Sequence, residues 1–146
     1  MPNKLCMAVS KIKTDEKLEY NKQLGAEKTY TLYKSMAEIV QHSAESFIQE
    51  DFDTVIFEDE VDSYQQIFHN NFQHVYDEWN KDGPNNLLFL DCDTLVINPV
   101  EVFGKFDRFQ MFNYTDPKTL SGDDANNKYG LAHQHYFNAG CRYYPD

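Results

Sequence analysis

Residues 87–97 read Leu-Leu-Phe-Leu-Asp-Cys-Asp-Thr-Leu-Val-Ile, an apolar run interrupted only by Asp91, Cys92, Asp93 and Thr94. Such a run predicts a strand buried on both faces, as in parallel sheets covered by helices. Two carboxylates inside it are costly unless they are paired, protonated or bound to a cation. In an extended strand, residues two apart point the same way. Asp91 and Asp93 are therefore expected to project together, with Cys92 facing the opposite side. Two hard oxygen ligands side by side at the end of a buried strand suit Mg²⁺ or Mn²⁺, with phosphate completing the shell.

The flanking segments supply a sheet for this strand. Leu5 to Ser10 predicts a first buried strand, and Thr54 to Phe57 a short second one ending in Glu58, Asp59 and Glu60. Between them, Lys11 to Glu27 is charged and reads as a surface connection. Tyr30 to Gln49 reads as a helix, with Leu32, Met36, Ile39, Val40, Ser43 and Phe47 on one face. The next helix carries an apolar stripe of Tyr64, Ile67, Phe68, Phe72, Val75, Tyr76 and Trp79, expected to face the core. Ser63 and Gln66 fit a capping box at its start, and Asp82, Gly83 and Pro84 stop it. After the Asp-bearing strand, Val100 to Phe103 predicts one helical turn. Phe106 to Tyr114 predicts a strand, Asp116 to Asn127 a polar loop, and Tyr136 to Tyr144 the last strand.

Alternating strands and helices imply right-handed crossovers and an α/β domain, its mainly parallel, mixed sheet flanked by helices. In sheets of this kind ligands bind beyond the carboxyl ends of the strands. Val9 and Ser10, Glu58 and Asp59, and Asp91 and Asp93 occupy three such ends, which are expected to line one crevice.

At 146 residues the chain is long enough for a real core, and a single domain over residues 1–146 is expected. A hydrophobic fraction of 41% and an aromatic fraction of 15% argue against disorder. Thirteen basic and 24 acidic residues give a formal net charge of −11, which disfavours nucleic acid and anionic membranes. An anionic substrate would need a cation as a bridge, in agreement with the Asp pair. Cys6, Cys92 and Cys141 are far apart, with no Cys-x-x-Cys, so neither a zinc site nor a disulfide framework is indicated. No apolar run is long enough to span a membrane or to form a signal-peptide core, so a cytoplasmic protein is expected. So many apolar residues in a short chain are compatible with a homodimer.

Two motifs together resemble the GT-A class of nucleotide-sugar glycosyltransferases. Leu-Phe-Leu-Asp-Cys-Asp-Thr-Leu-Val at 88–96, followed by Asn98 and Pro99, looks like the Asp-x-Asp motif that holds a divalent cation against the donor diphosphate. Tyr136-Phe137-Asn138-Ala139-Gly140 looks like the Phe-Asn-Ala-Gly strand of glycogenin-like retaining transferases, which lies near the donor sugar. The resemblance implies a Rossmann-like GT-A fold and a metal-dependent transfer of sugar from a nucleoside-diphosphate sugar to an unknown acceptor. Asp91 and Asp93 would be the Mn²⁺ or Mg²⁺ ligands, Asp93 the more direct one. His135, just before the last strand, would stand in for a late histidine ligand, with His133 as its neighbour. Val9 and Ser10 would meet the nucleobase, and Asp59 the ribose or base. Asn138, Ala139 and Gly140 would sit under the transferred sugar, and Cys92 of the metal motif would belong to the cofactor-binding residues. Family members usually continue well past the Asn-Ala-Gly strand, so the usual acceptor region would be lacking from this sequence.

Two other readings stay open. A chain keeping the donor half alone would be a nucleotide-sugar-binding module or scaffold without turnover. Phe89 to Thr94 also resembles the nucleophile motif of haloacid-dehalogenase-like phosphatases, in which the first Asp attacks phosphorus, and Gly122-Asp123-Asp124 resembles their later acidic motif. That motif usually opens its domain and carries Thr four residues after the first Asp, whereas Asp91 comes late here and Thr94 is three along.

Overall fold

The computed structural model describes residues 3–13, 19–81, 85–114 and 136–145. They form strand β1 (Asn3–Ile12), helices α1 (Glu19–Leu24) and α2 (Ala26–Phe47), strand β2 (Asp53–Val61), helix α3 (Tyr64–Trp79), and strands β3 (Asn86–Leu90), β4 (Gln110–Tyr114) and β5 (Tyr136–Tyr144). The strands make one mixed sheet in the order β2-β1-β3-β5-β4. β1 is parallel to both β2 and β3, and β5 is antiparallel to β3 and β4. The expected α/β class, with a mainly parallel sheet flanked by helices, is the observed one and is compatible with a Rossmann-like fold.

The alternation of side chains along β1 and β3 divides the core into two layers. Leu5, Met7, Val9, Leu88 and Leu90 face α2, where they meet Ala37, Val40, Ala44, Ile48, Phe103 and Tyr143. Cys6, Leu87 and Phe89 face α3, where they meet Val75, with Trp79 and Tyr144 at the margin. All five residues of β3 are buried, which explains its uninterrupted apolar sequence. Each fully buried leucine contributes about 1.5–3 kcal/mol, so this strand anchors whatever its carboxyl end carries.

Several local expectations are corrected. The apolar run 87–97 is strand only as far as Leu90. There the Asp91 amide bonds to Gly140, and the Thr94 amide turns back to the Asp91 carbonyl at 3.0 Å. Beyond the turn Leu95 and Ile97 are 52% and 71% exposed. Asp91 and Asp93 thus share a tight turn and not an extended strand. On α2 the buried residues are Thr29, Ala37, Val40 and Ala44, while Ile39 is 60% exposed. The small Ala37 and Ala44 let the helix approach the sheet closely, which rotates the larger side chains outward. Among the described side chains of the stripe on α3, Val75 alone is fully buried, and Phe68, Phe72 and Tyr76 are substantially exposed. Ser63 makes no side-chain cap; Gln66 instead accepts from the Asp62 amide at 2.9 Å.

The segment after the turn is not helical at 100–103. Val100 pairs with Ile48 as an isolated bridge, and hydrogen bonds from Gln49 to Val100 and from Val100 to Phe47 tie it to the end of α2. Gly25, at φ 81°, provides the left-handed break that separates α1 from α2. β1 and β2 are longer than expected, since their parallel register runs from Lys4 and Asp53 to Ile12 and Val61. Asp82, Gly83 and Pro84, the loop 116–127 and both His133 and His135 lie outside the described residues. At the end of α3 the side chain of Asn85 donates to the Lys81 carbonyl at 2.8 Å and the Trp79 carbonyl at 3.2 Å.

Candidate functional site

β3 stops just past its last pair with β1, Cys6 with Phe89, while β1 runs on to Ile12, and α2 and α3 pass on opposite faces. A cleft of about 330 Å³ opens between them. Ala8, Val9 and Ser10 line it from the part of β1 that extends past β3, short of the strand end expected there, and Asp91, Cys92 and Asp93 from the turn after β3. Tyr33 and Met36 form the α2 wall, and Ile67, Phe68 and Asn71 the α3 wall. This is where open α/β sheets bind ligands.

Asp91 is half-buried, and its amide donates to the Gly140 carbonyl at 2.8 Å. That bond joins the turn to β5 at the point where β3 and β5 pair through Leu90 and Cys141. The same stretch of β5 is irregular on its other edge. Met111 pairs with Arg142 but Phe112 pairs with Asn138, so residues 139–141 bulge beside Asp91. Bulges of this kind redirect a strand next to functional sites.

Burial pushes the Asp91 carboxyl above the usual carboxylate range, and the neighbouring Asp93 pushes the same way, while Arg142 opposes both. The Cys92 thiol is pushed up to about 11, chiefly by burial and then by Asp93 and Asp91. Such a shift favours the neutral thiol at physiological pH. Asp93 is exposed at the mouth of the cleft.

Two polar atoms inside the cleft stand out. Ser10 is 7% exposed, and its Oγ has no hydrogen-bond partner among the described residues. The same holds for Asn71 Oδ1. Buried polar atoms in proteins are nearly always satisfied, so these two are the exceptions beside the cleft.

Val9, Ser10, Asp91, Cys92 and Asp93 of the expected site are thus brought together. Gly140 is held to Asp91, and Asn138 and Ala139 follow along the same strand. Asp59 is engaged elsewhere. Its Oδ2 lies 2.8 Å from His74 Nε2, and that imidazole stacks on Phe57 with ring centroids 4.7 Å apart. Glu58, at the same strand end, pairs with Lys34 at 3.2 Å. The end of β2 therefore does not line this cleft. The sequence reading missed Tyr33, Met36, Phe68 and Asn71. Asn71 was detectable as a polar residue one turn on from Ile67, inside an otherwise apolar stripe.

Among the described residues no group of three or more His, Cys, Asp or Glu side chains is placed to hold a metal ion. His135, the expected further ligand, is outside them. Two carboxylates of one turn nevertheless suit a hard divalent cation that keeps waters and brings phosphate oxygens with it. Among the described residues no helix is long and apolar enough to cross a membrane. No protein-family model matches the chain, and no curated protein shows significant sequence similarity to it.

Proposed function

We propose that this chain is a metal-dependent glycosyltransferase of GT-A type, taking a nucleoside-diphosphate sugar as donor. The observation that carries the reading is the hydrogen bond from the Asp91 amide to the Gly140 carbonyl. It joins two motifs, each weak alone, at the carboxyl end of the central strand. Chance pairs of acidic residues two apart are common; one bonded to a Phe-Asn-Ala-Gly strand and opening on a cleft is far rarer.

In this reading the nucleobase enters between Tyr33 and Phe68, where Ser10 and Asn71 offer hydrogen bonds. Flat apolar walls with a few convergent polar groups suit a planar heterocycle. Asp91 and Asp93 hold Mn²⁺ or Mg²⁺, which supplies charge neutralisation for the departing diphosphate. The amide side chain of Asn138 orients a sugar hydroxyl, and Gly140 lets the sugar approach the backbone. An acceptor of unknown chemistry takes the sugar. The three unpaired cysteines agree with a cytoplasmic location.

The experiment is release of sugar from UDP-, GDP- and CDP-sugars with Mn²⁺ and with EDTA, with and without candidate acceptors. Metal-dependent turnover of one donor supports the enzyme. Metal-dependent binding without any sugar release identifies a binding module.

A further inference from the structure

A second cavity, of about 480 Å³, lies on the α2 face of the sheet. It meets the donor cleft at the acidic turn. Leu90 and Thr94 line this cavity, while Asp91, Cys92 and Asp93 between them line the cleft. Cys141 lines it too, one residue on from Gly140. Its floor is Leu88, Leu90 and Tyr143, all buried. The Tyr143 hydroxyl is already satisfied, accepting from the Gly104 amide and donating to Asn86 Oδ1, each at 3.0 Å. The outer wall is pinned to α2 and the residues just after it. The Val96 amide donates to Ser43 Oγ at 3.2 Å, the Val100 amide to the Phe47 carbonyl at 2.9 Å and the Val102 amide to Glu50 Oε1 at 2.7 Å. The cavity is therefore preformed, and its volume is in the range of small-molecule sites. Exposed Leu95 and Ile97 give it an apolar rim. Among the described residues that line it Glu101 alone is charged, and it pairs with Lys105 at 2.9 Å. In a chain where 25% of residues are charged, so neutral a lining suits a neutral, apolar ligand. An ion seated there would lose its hydration without gaining a partner.

We propose that this cavity takes the apolar body of the acceptor, so that the acceptor is a neutral alcohol on a hydrocarbon skeleton. The inference rests on the donor-site reading above and names the acceptor class which that reading leaves open. Hydrocarbon seated on Leu88 and Leu90 can bring a hydroxyl to Thr94, at the boundary with the donor cleft. Burial of the hydrocarbon supplies affinity, and the shared turn supplies position. In the transfer the hydroxyl oxygen forms a bond to the anomeric carbon of the donor sugar. The bond from that carbon to the diphosphate breaks, its electron pair leaves on the diphosphate, and the hydroxyl proton passes to the same departing group. A second copy of the chain is a poorer fit, since a net charge of −11 opposes self-association.

The test uses the full chain with 1-decanol as probe. Binding is read by displacement of the neutral fluorophore Nile red, and transfer as decyl glycoside formed from UDP-, GDP- and CDP-sugars in Mn²⁺. The wild type is expected to bind 1-decanol saturably and to form decyl glycoside from the donor it binds. Leu95→Asp and Ile97→Asp, both at exposed positions, are each expected to weaken 1-decanol binding at least about tenfold, because they set a charge against an apolar ligand. Decyl glycoside formation should fall in step, with nucleotide affinity changed less than about threefold, as for surface substitutions generally. Ile39→Asp, at an exposed position of α2 outside both cavities, is expected to leave all three readouts unchanged. No 1-decanol binding, or binding that Leu95→Asp and Ile97→Asp leave intact, overturns the proposal. Bound 1-decanol and bound donor without decyl glycoside overturn it as well. A wild-type dimer that Ile97→Asp dissociates, with no 1-decanol bound, overturns it and makes the cavity an interface between copies. Absence of nucleotide binding under every condition is a different failure, since it removes the donor-site reading itself and the acceptor role with it.

Discussion

The amide of Asp91 donates to the carbonyl of Gly140 across 2.8 Å, although the two residues are separated by most of the second half of the chain. Through this one bond the acidic turn after β3 is tied to the bulged segment of β5. The bond also ends β3. Once the Asp91 amide is committed to β5, the Thr94 amide closes a turn on the Asp91 carbonyl and the carboxylates swing toward the cleft instead of continuing the pleat.

Asp93 is exposed and has no structural partner in the core. Asp93→Ala is expected to abolish metal-dependent nucleotide binding while leaving unfolding stability within about 0.5 kcal/mol of wild type, as for surface substitutions generally. Calorimetric titration beside a denaturant curve checks both halves. Unchanged binding would remove Asp93 from the metal site.

Asn138 belongs to the sugar end of the site in the proposed reading. Asn138→Ala is expected to lower transfer or donor hydrolysis by about tenfold or more while changing nucleotide affinity by less than about threefold, since a hydrogen bond made to the reacting sugar acts mainly on the transition state. Comparison of kcat with the nucleotide Kd reads the split. Equal losses in both would locate Asn138 in the nucleotide subsite.

Ser10 Oγ and Asn71 Oδ1 are buried without partners among the described residues. Ser10→Ala and Asn71→Ala are each expected to weaken nucleotide binding by about 2- to 10-fold, the worth of one hydrogen bond. Neither should lower thermal stability in the ligand-free protein, because no bond among the described residues is lost at either atom. Loss of stability with unchanged nucleotide affinity would show both groups to be structural.

The Asp91 carboxyl is pushed up, first by burial and then by Asp93. A carboxyl group titrating higher in the folded than in the unfolded chain destabilises the fold at pH values above its folded pKa. The penalty is relieved as pH falls through that value toward the unfolded one. Asp91→Asn is therefore expected to be more stable than wild type at neutral pH, with the gap closing on acidification below the raised pKa. Urea melts of the two proteins at neutral and acid pH give the comparison. A gap that widens toward acid would reverse the assignment.

The α/β class with its mainly parallel sheet was legible because β1 and β3 are apolar enough to be buried on both faces; that the end of β2 stays out of the cleft was not. Nor were the limits of β3. Leu95 and Ile97 continue the apolar pattern, and nothing local shows that Gly140 captures the Asp91 amide. The faces of α2 and α3 were misread because size was taken as the sign of burial. Contact with the sheet is made by Ala37 and Ala44, whereas Phe68 is turned to wall the cleft and Phe72 to cover Arg142. Arg142 itself followed a recognised motif, yet its burial depends on the pairing with Phe89, a long-range fact no spacing rule contains.

The central claim is that this cleft holds a nucleoside diphosphate through a divalent ion. Isothermal titration with UDP, GDP and CDP, each in Mn²⁺ and then in EDTA, tests it most directly. The account predicts saturable binding of one nucleotide in Mn²⁺ and its loss in EDTA. Binding that is indifferent to EDTA, or no binding of any of the three, would contradict it.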